Sequence, residues 1–319
     1  MSDTASAAAD TPLVSVLMPV HNGGRFLEAA LLSMLDQTLE DFELIAVENG
    51  SVDNSLEVLR RHATLDPRVR VIEAGPVGLV AALNLALDAA RGRYLARMDA
   101  DDLSEHDRLA AQVAYLREHP HVGVLGTAHD YIDASGDTVG SRRCLTAPAL
   151  VAASLYFGNP LAHPTVMIDR DLTGDLAYPA TFHDAEDLAL WRTLSLAGVP
   201  LANLGRVLVH YRVHTDSVTA RDDAQVGRSD VDAMVASGRW SQHRARWAIS
   251  RTYNRRARGV SWPAFLAGCA ALNLYNLARP EVSRLALLRR TALAVGAGLA
   301  DLRRRNQPGA PGEHLVDRP

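Results

Sequence analysis

The residues with the clearest chemical potential are three carboxylates within four positions, Asp99, Asp101 and Asp102. They follow an apolar run at residues 94–98 that reads as a β-strand, so they sit where a strand leaves its sheet. Dry and unpaired, such groups repel one another, and a divalent cation removes that conflict. Oxygen ligands suit Mg2+ or Mn2+, which often keep only a carboxylate or two and complete their shell with phosphate oxygens and water. A metal held there would neutralise charge on a departing diphosphate. The competing reading is a solvated acidic turn that caps the next helix, with Asp102 or Ser104 as cap. Position at a strand exit favours the metal.

The elements that must position these groups alternate between two periods. Residues 13–20 are apolar and β-branched, and the turn signal His21-Asn22-Gly23-Gly24 follows. Residues 25–37 have helical period, and residues 42–47 read as a second strand ending at Glu48-Asn49-Gly50-Ser51. Ser51 or Asp53 is placed to cap a helix running through Arg61. Residues 69–73 read as a third strand, 79–90 as a helix and 94–98 as the fourth strand. Strands alternating with helices argue for a parallel sheet with crossover helices, and ligands of such sheets collect at the carboxyl ends of the strands. The polar clusters fall there: Pro19, His21 and Asn22; Glu48, Asn49 and Asp53; then the aspartates. Farther on, 103–119 and 185–197 read as helices, the latter stopped by Gly198 and Pro200. A strand begins at 123–126, residues 127–148 are loop-rich with room for a hairpin, and 207–213 are β-like.

The chain has 319 residues, 48% of them hydrophobic, enough for one large core or two modest ones. Its two cysteines, Cys144 and Cys269, are too few for a disulfide framework, which points to a reducing cytoplasm. Residues 1–11 lack the basic and apolar parts of a signal peptide and read as a disordered leader. There is no lysine. Residues 1–220 carry 16 arginines against 29 acidic residues, whereas residues 221–319 carry 17 against eight. Such a basic segment fits either peripheral contact with an anionic membrane or a helical lobe with solvated arginines. Its apolar stretches fall short of the roughly 20 clean residues of a spanning helix. Residues 306–319 read as a disordered tail. With no G-x-G-x-x-G after the first strand and no P-loop, dinucleotide oxidoreductases and P-loop enzymes are disfavoured, and no nucleic-acid partner is expected.

The runs VSVLMPVHNGGRFLEAALLSMLDQTLEDFELIAVENGSVDNS and GLVAALNLALDAARGRYLARMDADD, followed by DRL, resemble glycosyltransferase family 2 over about residues 13–220. The resemblance implies a GT-A fold: α/β, Rossmann-like, a mainly parallel central sheet flanked by helices, here with a C-terminal helical extension. It implies inverting transfer of sugar from a nucleoside-diphosphate sugar, a UDP-sugar foremost, to a hydroxyl of a saccharide or lipid-linked acceptor in cell-surface polysaccharide or glycolipid synthesis. Pro19, His21, Asn22, Glu48, Asn49, Asp53, Asn84, Arg97, Asp99 and Arg212 fall on the donor side. Asn49 replaces the second acid of the family's pair, which makes uridine a less certain base. Asp99 and Asp101 match the D-x-D motif, with Asp101 toward Mn2+ or Mg2+ and His214 completing the metal shell or meeting the diphosphate. Glu186 and Asp187 resemble the family's Glu-Asp motif, which makes Asp187 the general base, with Glu186 and His163 on the acceptor side. The bland reading is that both acids only stabilise a helix start.

The expected organisation is a nucleotide-sugar half at 12–125, an acceptor half at 126–220 and a basic helical lobe at 221–305. A sugar-phosphate nucleotidyltransferase is the rival enzyme class, but it usually carries a basic glycine-rich segment after the first strand, and here HNGGR offers only Arg25. An inactive nucleotide-sugar-binding protein is the rival outside catalysis, opposed by the retained Asp99, Asp101 and Asp187.

Overall fold

In the computed structural model the described residues are 11–155, 159–180, 186–214 and 292. The expected leader up to residue 10, the basic lobe at 221–305 apart from residue 292, and the tail lie outside them.

The chain runs β1 (Val14–Val20), α1 (Leu27–Leu35), β2 (Phe42–Glu48), α2 (Ser55–Leu65), β3 (Val69–Glu73), α3 (Leu79–Ala89) and β4 (Tyr94–Arg97). It continues through β5 (Leu103–Ser104), α4 (Arg108–Glu118), β6 (Val124–Ile132), β7 (Thr138–Arg142), α5 (Pro148–Ser154), β8 (Met167–Asp169), α6 (Arg170–Thr173), α7 (Glu186–Leu196) and β9 (Leu201–Arg212). One sheet holds all the strands in the order β3-β2-β1-β4-β8-β6-β9-β5, with β7 paired to β6. The first four strands are parallel, as their crossover helices require. Beyond β4 the sheet turns mixed: β8 is antiparallel to both β4 and β6, whereas β6 and β9 are parallel.

Strand residues alternate between two cores. Val14, Val16, Met18 and Val20 of β1 face Leu27, Leu31, Leu59, Leu109 and Val113 on one side. Leu17, with Ile45 and Val47 of β2, faces Val80, Leu83, Leu87 and Trp191 on the other. Both faces are covered, which explains why these strands read as continuous apolar runs. Two polar residues interrupt the second face, Ser15 and Glu43. They are mutually hydrogen-bonded at 2.7 Å, and Glu43 also takes Arg70 and Arg91. Burial pushes the Glu43 carboxyl up, but Ser15 and the two arginines outweigh it and leave the group below its usual range.

Several boundaries differ from the sequence reading: β9 begins at Leu201 rather than at 207, and β6 runs on to Ile132 through residues read as loop. The helix expected from residue 103 starts at Arg108, because Leu103 and Ser104 pair with His210 and Val209 of β9 instead. The helix expected from residue 25 opens as a 3-10 turn at Gly24–Phe26, and α1 follows from Leu27. Among the described residues no helix is long and apolar enough to cross a membrane.

Candidate active site

β1 and β2 end side by side, with Val20 opposite Glu48, and the loops beyond them interlock. Pro19 lies past the last β1–β4 register pair, Leu17 with Arg97, where a missing N–H disturbs no ladder on that side. His21 Nδ1 bonds the Asn49 carbonyl at 2.8 Å. Asn22 adopts φ +51°, a conformation asparagine tolerates better than most residues. Its N–H donates to Ser51 Oγ and its side-chain oxygen accepts from the Val52 N–H. Asp53 accepts from the Gly24 N–H at 2.8 Å and from the Ser55 N–H at 3.0 Å, tying the first turn to the start of α2. Gly50 has φ +71°, and a Cβ there would lie 2.7 Å from the Pro76 nitrogen, so only glycine fits.

Glu48 and Asn49 differ in what they can offer a ligand. Burial pushes the Glu48 carboxyl up, yet the Ser51 N–H and hydroxyl and the Gly50 N–H more than offset it, holding Glu48 below the usual range. The Asn49 side-chain oxygen accepts from the N–H groups of Val77 and Gly78, both at 2.9 Å. That leaves its NH2 as the group available for other partners.

The aspartates lie beyond β4, and side-chain oxygens of Asp99, Asp101 and Asp102 fall within 4.8 Å of one another. Arg97, buried at the end of β4, is ion-paired with Asp99. β9 returns to the cluster through its pairing with β5. The Arg212 N–H donates to Asp102 Oδ1 at 2.7 Å, and its guanidinium donates to the carbonyls of Asp101 and Asp133, both at 2.8 Å. His214 Nε2 lies 3.0 Å from Asp101 Oδ2. The Phe26 ring underlies this corner, 4.6 Å from the Arg212 guanidinium and 5.1 Å from the His214 ring. A third arginine, Arg108, is fully buried and donates to the Arg97 carbonyl at 2.7 Å. Burial brings it down only to about 9, so it stays a cation at neutral pH.

These arginines answer part of the carboxylate repulsion. Burial nevertheless raises Asp99 and drives Asp102 well above the usual range, with the neighbouring aspartates adding to the burial of Asp102. Asp102 Oδ2 is buried and has no partner among the described residues. An orphaned oxygen in a set of hard ligands fits a divalent cation.

Of the residues expected on the acceptor side, Asp187 stands in the first turn of α7. Its Oδ1 accepts from the Leu188 N–H at 2.6 Å and its Oδ2 from the Asn159 amide at 2.5 Å. Burial and Asp187 push Glu186 up to about 8. His163 bonds the Tyr178 hydroxyl at 2.8 Å, with its Nδ1 at 3.7 Å from Glu186, and burial beside the Arg97 charge holds it well below the usual histidine range. Asn84 brackets the Tyr178 backbone, donating to its carbonyl at 3.0 Å and accepting from its N–H at 2.8 Å. Glu186 and Tyr178 both feel Arg97 and Asp99, so this group adjoins the aspartates. Asn84 thus meets Tyr178, whereas the other residues expected on the donor side gather at the ends of β1, β2 and β4 and at Arg212. Asn159, Arg108, Phe26 and Tyr178 did not stand out in the sequence. Only Arg108 had a signal, within the DRL run after the aspartates.

The fold is that of the GT-A glycosyltransferases. The family profile described as Glycosyl transferase family 2 matches residues 15–170, and the chain belongs to glycosyltransferase family 2. It is 34% identical to the putative glycosyltransferase EpsE of Bacillus subtilis, over 65% of this chain and 74% of that protein. To the amylovoran biosynthesis glycosyltransferase AmsE of Erwinia amylovora it is 32% identical, over 69% of this chain and 83% of that one. Among solved structures, S. aureus TarS 1-349 in complex with UDP-GlcNAc aligns with TM-score 0.58 and 16% identity, covering 91% of this chain and 89% of that one. The mannosyltransferase PcManGT of Pyrobaculum calidifontis, in complex with GDP-Man and Mn2+, aligns with TM-score 0.56 and 22% identity over 92% and 88%. The chain spans 57% of the length of a longer TarS structure.

Proposed function

We propose that the protein is an inverting glycosyltransferase that moves a sugar from a nucleoside-diphosphate sugar to a hydroxyl of a saccharide or lipid-linked acceptor in cell-surface polysaccharide synthesis. Residues 12–125 bind the donor and 126–220 the acceptor. Glu48, Asn49, His21 and Asp53 build a preorganised pocket for the nucleoside, while Arg97 and Arg212 hold the aspartates in place. The Asp187 carboxylate takes the proton of the acceptor hydroxyl as its oxygen attacks the anomeric carbon, and the bond to the diphosphate oxygen breaks. A single displacement inverts that carbon. Mn2+ or Mg2+ at Asp101, with His214 and the neighbouring aspartates, would supply charge neutralisation for the leaving diphosphate.

The observation that carries the reading is the division of labour among the acids. Asp99, Asp101 and Asp102 crowd together around a buried oxygen that lacks a donor, while Asp187 stands apart at a helix start with two N–H donors. The first set suits a cation, the second an ionised base. Relatives named for amylovoran and O-antigen biosynthesis support a polysaccharide product, and solved neighbours with UDP-GlcNAc or GDP-Man support a sugar-nucleotide donor. The arginine-rich segment 221–305 would place the enzyme at the inner face of an anionic membrane, near a lipid-linked acceptor.

A thermal-shift panel of nucleotide sugars, run with and without Mn2+, tests the reading, because a bound donor raises the melting temperature by mass action. Metal-dependent stabilisation by one sugar nucleotide is the expected result. No shift with any of them, at millimolar donor and Mn2+, would overturn it.

A further inference from the structure

Asp187 is held by a residue 28 positions away in sequence. Asn159 precedes the 3-10 turn at His163–Thr165, and three interactions fix it. Its side-chain oxygen accepts from the Leu161 N–H at 3.2 Å, its own carbonyl accepts from the Arg142 guanidinium at 2.6 Å, and its amide nitrogen donates to Asp187 Oδ2 at 2.5 Å. The Leu161 contact decides which end of the amide is oxygen, so the NH2 end is the one that meets the carboxylate. Arg142 comes from β7, the outer strand of the hairpin with β6. A chain of contacts therefore runs from that hairpin through Asn159 to the carboxylate.

We infer that Asn159 is a positioning residue for the Asp187 carboxylate, and that Arg142 sets Asn159 for that role; this rests on the reading of Asp187 as the base. The physical case is one of division between two oxygens. Oδ1 is tethered by the Leu188 N–H of its own helix, which alone leaves the carboxylate free to turn about its last torsion. A second donor on Oδ2, from a different part of the chain, removes that freedom and presents the remaining lone pairs in one direction. A donor to the charged form also keeps the carboxylate ionised. That support matters in this neighbourhood. Among the described residues, the titratable and charged groups near the pair include Glu186 on the same helix, Tyr178 and His163 from the adjoining loop and turn, Arg97 and Asp99 from the end of β4, and Arg142 from β7. An ionised Glu186 beside Asp187 would oppose a second charge there, and Asn159 counters that without adding charge.

Two measurements on the full chain test this. The first follows the Asp187 carboxyl by 13C NMR across pH, its signal assigned by disappearance in Asp187→Asn. Asn159→Ala should move its titration midpoint upward, and Arg142→Ala should move it less in the same direction. The second follows release of UDP from UDP-GlcNAc with Mn2+ and water as acceptor, for which Asn159→Ala should lower kcat about 10- to 100-fold, the worth of a hydrogen bond to a charged group. KM for the donor should stay within about twofold, as expected when an interaction matters mainly in the transition state. A merely structural role would lower the folded fraction and leave the midpoint where it was. Should Asn159→Ala fail to fold, the isosteric Asn159→Asp carries the same test, since a second carboxylate there must raise the midpoint further. An unmoved midpoint in a folded variant overturns the inference. If instead Asp187→Asn keeps the wild-type rate, the base assignment falls while the link between the two side chains can still stand.

Discussion

The guanidinium of Arg97 is ion-paired with the carboxylate of Asp99, two residues farther along the chain, and the two differ sharply in exposure: 5% for the Arg97 side chain against 28% for Asp99. The arginine is the buried anchor, and the aspartate reaches outward from it toward the other acids. Replacing Arg97 with methionine keeps the packing and strands Asp99 beside Asp101 and Asp102. The expected cost at neutral pH is about 2 kcal/mol, below that of stranding a fully buried charge because Asp99 retains some solvent. The loss should shrink as acid protonates the aspartates. Denaturant unfolding at pH 7 and pH 4 checks this, and an equal loss at both would separate Arg97 from Asp99.

Asp187 and Asp101 should separate kinetically. Asp187→Asn is nearly isosteric and should lower turnover of a responsive sugar nucleotide about 100- to 10,000-fold, the usual contribution of general base catalysis, with donor affinity nearly unchanged. Asp101→Ala should weaken Mn2+-dependent donor binding at least about tenfold, the cost of losing even an outer partner of a metal. Calorimetric titration of the donor, with and without Mn2+, reads both. Metal-independent binding of equal strength in wild type and Asp101→Ala would remove the cation from this corner.

The parallel half of the fold was legible because its signals are local. Val14–Val20, Phe42–Glu48, Val69–Glu73 and Tyr94–Arg97 are short β-branched or apolar runs closed by turn residues, and each is a strand. Trp191, within the run read as a helix at 185–197, is fully buried. Asp99, Asp101 and Asp102 also carry their message in adjacent positions. What the sequence hid is long-range. Leu103 and Ser104 belong to a helical pattern until β9, about a hundred residues later, claims them as a strand. Asn159 meets Asp187 across 28 positions, whereas the approach of His214 to Asp101 across 113 was implied only by the family resemblance, with no local pattern to show it. A neutral amide in a loop carries no periodicity and no charge, so nothing local distinguishes Asn159 from an ordinary turn residue. Arg108 sits on the inner face of α4, where an arginine reads as solvated surface until its contact with the Arg97 carbonyl is seen.

Gly50 gives a test of the proposed donor loop that does not touch a carboxylate. Alanine there must adopt φ near +71° and press its Cβ onto Pro76. The backbone term alone is about 1–2 kcal/mol, and relief of the clash has to move either the β2 exit or the loop at Pro76. Both carry hydrogen bonds of the proposed nucleoside pocket, since Glu48 takes the Ser51 N–H and Asn49 takes Val77 and Gly78. Gly50→Ala should therefore lower the melting temperature and weaken donor binding together. A stable variant with undiminished donor affinity would show that the loop is not part of the pocket.

Glu186 supplies a prediction in pH. Burial, with Asp187 beside it, raises its carboxyl from 4.5 to about 8. A folded-state value above the unfolded one means that the native state holds its proton longer than the denatured chain does. The stabilisation from this group is complete below about pH 4.5 and is lost progressively as pH climbs to about 8, where the native protein must carry a buried charge or open. Glu186→Gln keeps the shape and removes the titration. Its melting temperature should match the wild type near pH 4.5 and exceed it by a margin that grows up to about pH 8. Thermal unfolding of both proteins across that interval measures the margin. A constant difference, or one that narrows with rising pH, would mean that Glu186 is already ionised in the native state, with Asp187 and the rest of the α7 start carrying two charges instead of one.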